Sequence, residues 1–128
     1  MHSRVLVITS DDAIRRDVEA LLARCDTEAL CVATLARAQE LTVASRIDAV
    51  ILQAGFSGSL PGLHYVRWLR SYARRSATPV AVVIREDELE AHEVAAAEAL
   101  AARVFTYRKD LTAILEHVNA AIADRRAA

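Results

Sequence analysis

The sequence predicts a single α/β domain, a (βα)5 doubly wound sheet of five parallel strands. Short apolar, β-branched segments alternate five times with longer segments of helical periodicity along the 128 residues. Strands that are separated by helices must run parallel, and right-handed crossovers then place helices on both faces of the sheet. The length fits one domain, and the 54% apolar and 26% charged composition is typical of a globular one.

The predicted strands are short runs of apolar and β-branched residues. The third is continuously apolar, as expected for the middle of a parallel sheet. In the fourth, Pro79 falls near the start, where a missing backbone donor is tolerated. The five predicted strands cover residues 4–9, 29–34, 48–52, 78–84 and 103–107.

The predicted helices lie between these strands and after the last one. Asp11 or Asp12 is expected to cap the first helix, because a short acidic side chain can accept the free N–H groups of the first turn. Its inward positions are predicted at Ile14, Val18, Leu21 and Leu22, and those of the second helix at Leu35, Ala38 and Leu41. The five predicted helices cover residues 11–24, 35–44, 62–75, 87–102 and 111–126.

Composition narrows the classes of function. The net charge of −1 favours neither nucleic acid nor a membrane surface. No apolar run approaches the ~18 residues of a membrane span. Cys25 and Cys31 do not form a C-x-x-C motif and are expected to be reduced, and the four histidines have no metal-site spacing. We expect a cytoplasmic protein without metal, cofactor or nucleic-acid partner.

All three glycines, Gly55, Gly58 and Gly62, follow the third predicted strand. The segment 55–59 lacks the second glycine of a nucleophile elbow, and no lysine completes a phosphate-binding loop. The loop is therefore either a flexible surface connection, which we favour, or a backbone nest for an anion at a helix N-terminus.

Five segments taken in order identify a family resemblance: RVLVITSDDAIRRDVEALL, IDAVILQ, GLHYVRWLR, TPVAVVI and FTYRKD. Together they resemble the receiver domain of bacterial response regulators over nearly the whole chain. The resemblance implies a flavodoxin-like sheet with strand order 2-1-3-4-5. It also implies a receiver unit over residues 1–124, with 125–128 as the helix end or the start of a linker to a larger regulator.

In that family an acidic pair after the first strand binds Mg²⁺, and an Asp ending the third strand accepts a phosphoryl group from a histidine kinase. A Thr or Ser after the fourth strand and a Lys after the fifth contact the phosphoryl oxygens, and an aromatic residue of the fifth strand changes rotamer. The matching positions here are Thr9 and Ser10 (acidic pair), Gln53 (acceptor), Ile84 (Thr or Ser), Lys109 or else Arg108 (Lys), and Thr106 or Phe105 (aromatic).

These departures predict a pseudo-receiver that is not an enzyme. A carboxamide at Gln53 is a poor nucleophile, two hydroxyls and an amide offer Mg²⁺ no formal negative charge, and Ile84 cannot donate a hydrogen bond. We expect protein–protein interaction in two-component signalling without phosphorylation. Two alternatives stay open: a flavodoxin-like anion- or nucleotide-binding domain, and a conventional receiver whose acidic pair, through a slipped register, is Asp11 and Asp12.

Two surfaces are candidates for partner binding. Aromatic and Arg residues make interface hot spots, although aromatics can also simply lie across a helix with arginine stems. The third predicted helix carries such a set: His64, Arg67, Trp68, Arg70, Tyr72 and Arg74. The resemblance also implies a homodimer through the face made by the fourth helix, fifth strand and fifth helix. Six acids within residues 86–98 are expected to form a solvated face or to meet a basic patch.

Overall fold

The computed structural model describes residues 3–53, 61–72, 77–85 and 91–127, and within them five strands alternate with five helices. The strands are β1 (Ser3–Ile8), β2 (Thr27–Val32), β3 (Ala49–Gln53), β4 (Val80–Ile84) and β5 (Arg103–Thr106). The helices are α1 (Asp12–Ala23), α2 (Leu35–Ala44), α3 (Pro61–Ser71), α4 (Ala91–Ala99) and α5 (Leu111–Ala127). The predicted (βα)5 order is confirmed.

The strands form one parallel sheet in the order β2-β1-β3-β4-β5. This confirms the expected doubly wound, flavodoxin-like topology. All five residues of the central strand β3 are buried, as its unbroken apolar sequence predicts.

The core has two layers, one on each face of the sheet. On β3 the residues alternate: Val50 and Leu52 belong to the layer under α2, α3 and α4, whereas Ala49 and Ile51 belong to the layer under α1 and α5. This alternation follows from the period of two of a β-strand. It also decides which side chain points to which face where a strand ends.

The helices present the predicted faces with a few differences. Asp11, one of the two residues expected, is the N-cap of α1, and of the predicted inward residues of this helix Leu21 is only half-buried. On α3, Leu63, Tyr65, Val66 and Leu69 are all buried. On α2, Ala38 is buried but Leu35 and Leu41 are only half-buried, and Thr42 takes the fully buried position instead.

Helix α4 ends at Ala99, three residues before the predicted boundary. The cause is Ala101, which adopts a left-handed φ of 57°, so that the N–H of Ala102 returns to the carbonyl of Ala97. No helix within the described ranges combines the length and the apolar character that crossing a bilayer requires.

Gly62 explains how α3 approaches the sheet. A Cβ at this position would lie 3.2 Å from Leu52 Cδ2 and 3.5 Å from the Gln53 carbonyl oxygen. The missing side chain therefore lets the first turn of α3 pack closely on the end of β3.

Candidate functional site

Two predicted site residues meet where β1 and β3 end. Ile8 pairs with Leu52 in the parallel register, so the next residues, Thr9 and Gln53, lie level. Thr9 Oγ1 donates to Gln53 Oε1 at 2.5 Å, and both residues are buried, with 4% and 8% exposure. The backbone N–H of Asp11 donates to Thr9 Oγ1 at 3.0 Å. The acceptor position and the first acidic-pair position are thus joined by a hydrogen bond between uncharged groups.

Asp11 extends these contacts to the fourth strand. Its Oδ1 accepts from the N–H groups of Ala13 (2.9 Å) and Ile14 (3.2 Å), which caps α1. Its Oδ2 accepts from Arg85 Nε at 2.9 Å and also from Arg85 Nη2. Asp11 is therefore engaged through both oxygens, in helix capping and in an ion pair.

Arg85 in turn lies against the residue that follows β5. Ile84 pairs with Thr106, which places Arg85 level with Tyr107, and the Arg85 guanidinium carbon is 5.0 Å from the Tyr107 ring centroid. Tyr107 Oη donates to Asp17 Oδ2 of α1 at 2.6 Å. We call the connected set the strand-end network: Gln53, Thr9, Asp11, Arg85, Tyr107 and Asp17.

The network shifts the pKa values of Asp11 and Tyr107. Burial alone would raise the pKa of Asp11, but the hydrogen bonds from Arg85 and the amide of Ile14, with the attraction of the guanidinium, hold it below its ordinary value. Burial raises the pKa of Tyr107, and the hydrogen bond to the Asp17 carboxylate and the negative charge of that group raise it further. At neutral pH the site therefore contains an ionised Asp11 and a neutral phenol.

The other predicted site residues do not join this network. Ile84 is 1% exposed and packs in the layer under α2, α3 and α4. Ser10 is exposed. Lys109 is exposed in the turn after β5 and forms no hydrogen bond or ion pair with the network in the part of the chain that the structure describes. The β4–β5 register places Tyr107, and not Lys109, beside Arg85.

The two candidates for the aromatic position have structural contacts. Phe105 is buried in the layer under α1 and α5, with its ring centroid 5.5 Å from that of His117. Thr106 is half-buried, and its backbone N–H donates to Asp110 Oδ2 at 2.8 Å.

The slipped register does not fit the geometry. The strand β1 ends at Ile8, and Thr9 lies level with Gln53, whereas Asp11 caps α1 and Asp12 is already the first residue of that helix. The Asp12 side chain is 84% exposed and forms an ion pair with Arg15.

The predicted strand bounds put Arg85 directly after the fourth strand and Tyr107 at the end of the fifth, but the sequence analysis gave neither residue a role. The pattern that could have identified these two residues is the alternation of side chains between the two faces of each strand. Thr9, Gln53, Arg85 and Tyr107 each lie an even number of residues after a side chain in the α1–α5 layer: Val7, Ile51, Val83 and Phe105. Residues with that parity at adjoining strand ends point to the same side and can touch.

The aromatic surface of α3 is only partly available. Trp68 and Tyr72 stack with their ring centroids 5.5 Å apart, and both are half-buried; Trp68 also packs on the core. His64 and Arg67 are exposed. Arg70 differs from the expectation of a surface arginine, because it donates to the carbonyls of Thr78 (2.6 Å), Leu100 (2.8 Å) and Ala101 (3.2 Å).

Several expectations fall outside the described residues. They are the Gly55–Gly58 part of the loop, Arg74, and the acidic residues 86–90. Among the residues that the structure does describe, no three His, Cys, Asp or Glu side chains are grouped to hold a metal ion.

A surface groove opens beside the network between α1 and the start of α5. Its volume is about 460 Å³, and its lining mixes aliphatic and charged side chains: Asp17, Ala20, Leu21, Arg24, Arg108 and Leu111. Asp17 is common to the groove and the strand-end network.

No family model matches the sequence, and no curated protein matches it. Solved structures resemble it over nearly their whole length. A putative response regulator from Chloroflexus aurantiacus J-10-fl is 15% identical with a TM-score of 0.85, covering 96% of this chain and 99% of that one. A CheY-like response regulator receiver domain protein from Methanospirillum hungatei JF-1 is 12% identical with a TM-score of 0.83, covering 99% and 98%.

The chemotaxis response regulator CheY4 of Vibrio cholerae is 19% identical with a TM-score of 0.78, covering 92% of this chain and 99% of that one. At these identities the likeness establishes the fold. The chain therefore has the CheY-like fold of response regulator receiver domains.

Proposed function

We propose that this chain is a receiver-like domain of bacterial two-component signalling that acts through protein–protein contacts and without aspartyl phosphorylation. The observation that carries the proposal is the Thr9–Gln53 hydrogen bond, which occupies the acceptor position with uncharged groups. The receiver fold supports a role in signalling. The chemistry at the strand ends supports the absence of aspartyl phosphorylation.

The chemistry of the site supports this proposal at each step of phosphoryl transfer. The amide of Gln53 lacks the carboxylate nucleophile that an aspartyl phosphate requires. Mg²⁺ prefers anionic oxygens, and the described carboxylate that is joined to Thr9, that of Asp11, is paired with the guanidinium of Arg85. Without the metal, the charge that develops on the transferred group would have to be met by the Arg85 guanidinium, which is already paired with Asp11.

Phosphorylation is the direct test. The protein is incubated with acetyl phosphate and Mg²⁺ and its intact mass is measured, with a phosphorylatable receiver as the positive control. We expect no phosphoryl adduct on the wild type. Gln53→Asp alone is also expected to stay unmodified, because it restores the nucleophile and not the metal site. Stoichiometric, Mg²⁺-dependent modification of the wild type would contradict the proposal and support a conventional receiver.

The proposed partners are proteins, including a second copy of this chain, in the cytoplasm. The exposed residues His64 and Arg67 beside the Trp68–Tyr72 stack are one candidate surface, and the α4–β5–α5 face is the other. Arg70 is left out, since its donors are directed to backbone carbonyls.

Light scattering over a concentration series distinguishes these surfaces. If the chain forms a homodimer through the α4–β5–α5 face, Arg103→Glu on β5 weakens the association and Arg67→Glu on α3 does not. The reverse pattern assigns the dimer to α3. A monomer at all concentrations directs the search to a different protein. The anion-binding alternative depends on the loop from Gly55 to Gly62, most of which lies outside the described residues, and no contact of the described residues favours it.

A further inference from the structure

We propose that the Asp11–Arg85 ion pair is an internal lock that holds the carboxyl edge of the sheet, including the Tyr107 ring, in one arrangement without any ligand. The lock stands on its own contacts, whichever partner the domain binds.

The first observation is how many separate elements the pair connects. Asp11 and Arg85 lie 74 residues apart in the chain. Through Asp11 the pair holds the N-terminus of α1 and, by the Asp11 N–H, the Thr9 hydroxyl at the end of β1. Through Arg85 it holds the end of β4. Two hydrogen bonds from one guanidinium to one carboxylate oxygen fix the distance between these ends.

The second observation is the partial burial of the pair. The side chains of Asp11 and Arg85 are only 19% and 35% exposed. Water therefore screens their attraction less than it screens an exposed pair such as Arg37 and Glu40, whose side chains are 59% and 66% exposed.

The third observation is the Tyr107 ring, which is 6% exposed. The guanidinium carbons of Arg85 and Arg108 lie 5.0 and 5.6 Å from the centroid of this ring. The Tyr107 hydroxyl donates to Asp17. To turn outward, this ring must leave both cations and break its hydrogen bond. An Arg85 held by Asp11 therefore also holds the ring.

A ligand can shift a conformational equilibrium only through its different affinity for the two states. In this chain the cation, Arg85, and the anion, Asp11, both belong to the polypeptide. The preference for one arrangement of the strand ends therefore needs no ligand. The Tyr107 ring therefore keeps its buried position for as long as the ion pair is intact.

The test uses 3-fluorotyrosine and ¹⁹F NMR of the full chain. The three tyrosines give three resonances, and Tyr107→Phe assigns the relevant one. Asp11→Asn removes the charge and keeps a good helix cap, and Arg85→Met removes the cation. Both variants are expected to shift and broaden the Tyr107 resonance while that of Tyr65 stays in place. Arg103→Met, whose cation lies over Phe105, is the matched control and is expected to leave Tyr107 unchanged.

A double-mutant cycle measured by urea unfolding completes the test. Asp11→Asn and Arg85→Met are expected to be non-additive by roughly fivefold in the folding equilibrium constant, within the range for contacting residues. If Arg85→Met fails to fold, Arg85→Lys replaces it, because lysine keeps the charge and loses the paired geometry. An unchanged Tyr107 resonance in Asp11→Asn, or additive effects in the cycle, would overturn the lock.

Discussion

The carboxylate of Asp11 divides its oxygens between a helix terminus and an arginine. Oδ1 caps α1 and Oδ2 receives Arg85, so substitutions of this one residue can separate the two contributions. Asparagine retains the capping acceptor, whereas alanine removes both.

We expect Asp11→Ala to lower the free energy of unfolding by about 1 kcal/mol more than Asp11→Asn, which is the usual contribution of an N-cap side chain. Urea unfolding monitored by circular dichroism measures both variants against the wild type. Ser10→Ala, an exposed neighbour, is the control and is expected to change little. Equal losses for the alanine and asparagine variants would show that Asp11 contributes only through its charge.

The stability of the protein is expected to depend on pH through Asp11. The folded state lowers the pKa of this carboxyl, so the unfolded state binds more protons in the acid range. The stabilisation is complete above the unfolded pKa of about 4 and is lost as the pH falls through the lower folded value. Unfolding midpoints of wild type and Asp11→Asn should therefore converge as the pH drops below about 4.

Single residues show where sequence reasoning works. A cap at Asp11 or Asp12 was predictable, because capping involves residues only two or three positions away. The absence of a carboxylate at position 53 was also evident from the sequence. The Arg85 contact was not, because an arginine after a strand can reach several neighbours and only the folded sheet selects one.

At the scale of elements, α3 is tied to both of its neighbours. Tyr65 connects it to α2, since its hydroxyl lies 2.8 Å from Thr42 Oγ1, which itself donates to the carbonyl of Ala38 at 2.7 Å. Arg70 connects it to the end of α4 and to the start of β4 through three carbonyls.

The Thr42–Tyr65 pair is expected to be strongly coupled. Burial raises the pKa of Tyr65 to about 12, although Thr42 and Arg70 partly oppose that shift, so the hydroxyl stays protonated in ordinary buffers. Thr42→Val leaves this buried donor without that partner and should cost about 1–3 kcal/mol. Adding Tyr65→Phe should recover part of the loss, because no unpaired hydroxyl then remains. Thermal or urea unfolding of the two single variants and the double variant measures the coupling; strictly additive losses would contradict it.

Arg70→Met is expected to lower the free energy of unfolding by about 2 kcal/mol, because three carbonyl groups lose a charged donor. Arg67→Met, one turn away on the same helix and exposed, is the matched control and should stay within about 0.5 kcal/mol of the wild type. Hydrogen exchange of the amides at 100–102 should quicken only in Arg70→Met. Equal stabilities for the two variants would show that the carbonyl contacts are replaced by water at no cost.

Elements also show the limit of periodicity. The inward face of α1 followed from helical spacing, except that Leu21 is only half-buried. On α2 the spacing predicted the buried positions only in part. The buried Thr42 is polar, and its hydroxyl is satisfied inside by the Ala38 carbonyl and by Tyr65 on another helix.

At the scale of the whole molecule, both core layers share one sheet. Each strand contributes residues to one layer or the other in alternation, so neither layer can be lost while the strands remain. We therefore expect a single cooperative unfolding transition, as small domains usually show.

The fluorescence of Trp68, the only tryptophan, reports on the layer under α2, α3 and α4, and far-UV circular dichroism reports on all elements. Their urea midpoints should coincide. Distinct midpoints would mean that the α2–α4 layer opens separately from the rest of the sheet.

The sequence by itself determined the number and order of the strands and helices, the alternation of the core and the lack of an acceptor carboxylate at position 53. These are local properties, set by the spacing of neighbouring residues and by their chemical type. Only the tertiary structure decided that Arg85 binds Asp11 and lies against Tyr107, and that Arg70 holds the end of α4. These pairings join residues distant in sequence, and the register of adjoining strands and the packing of helices select them.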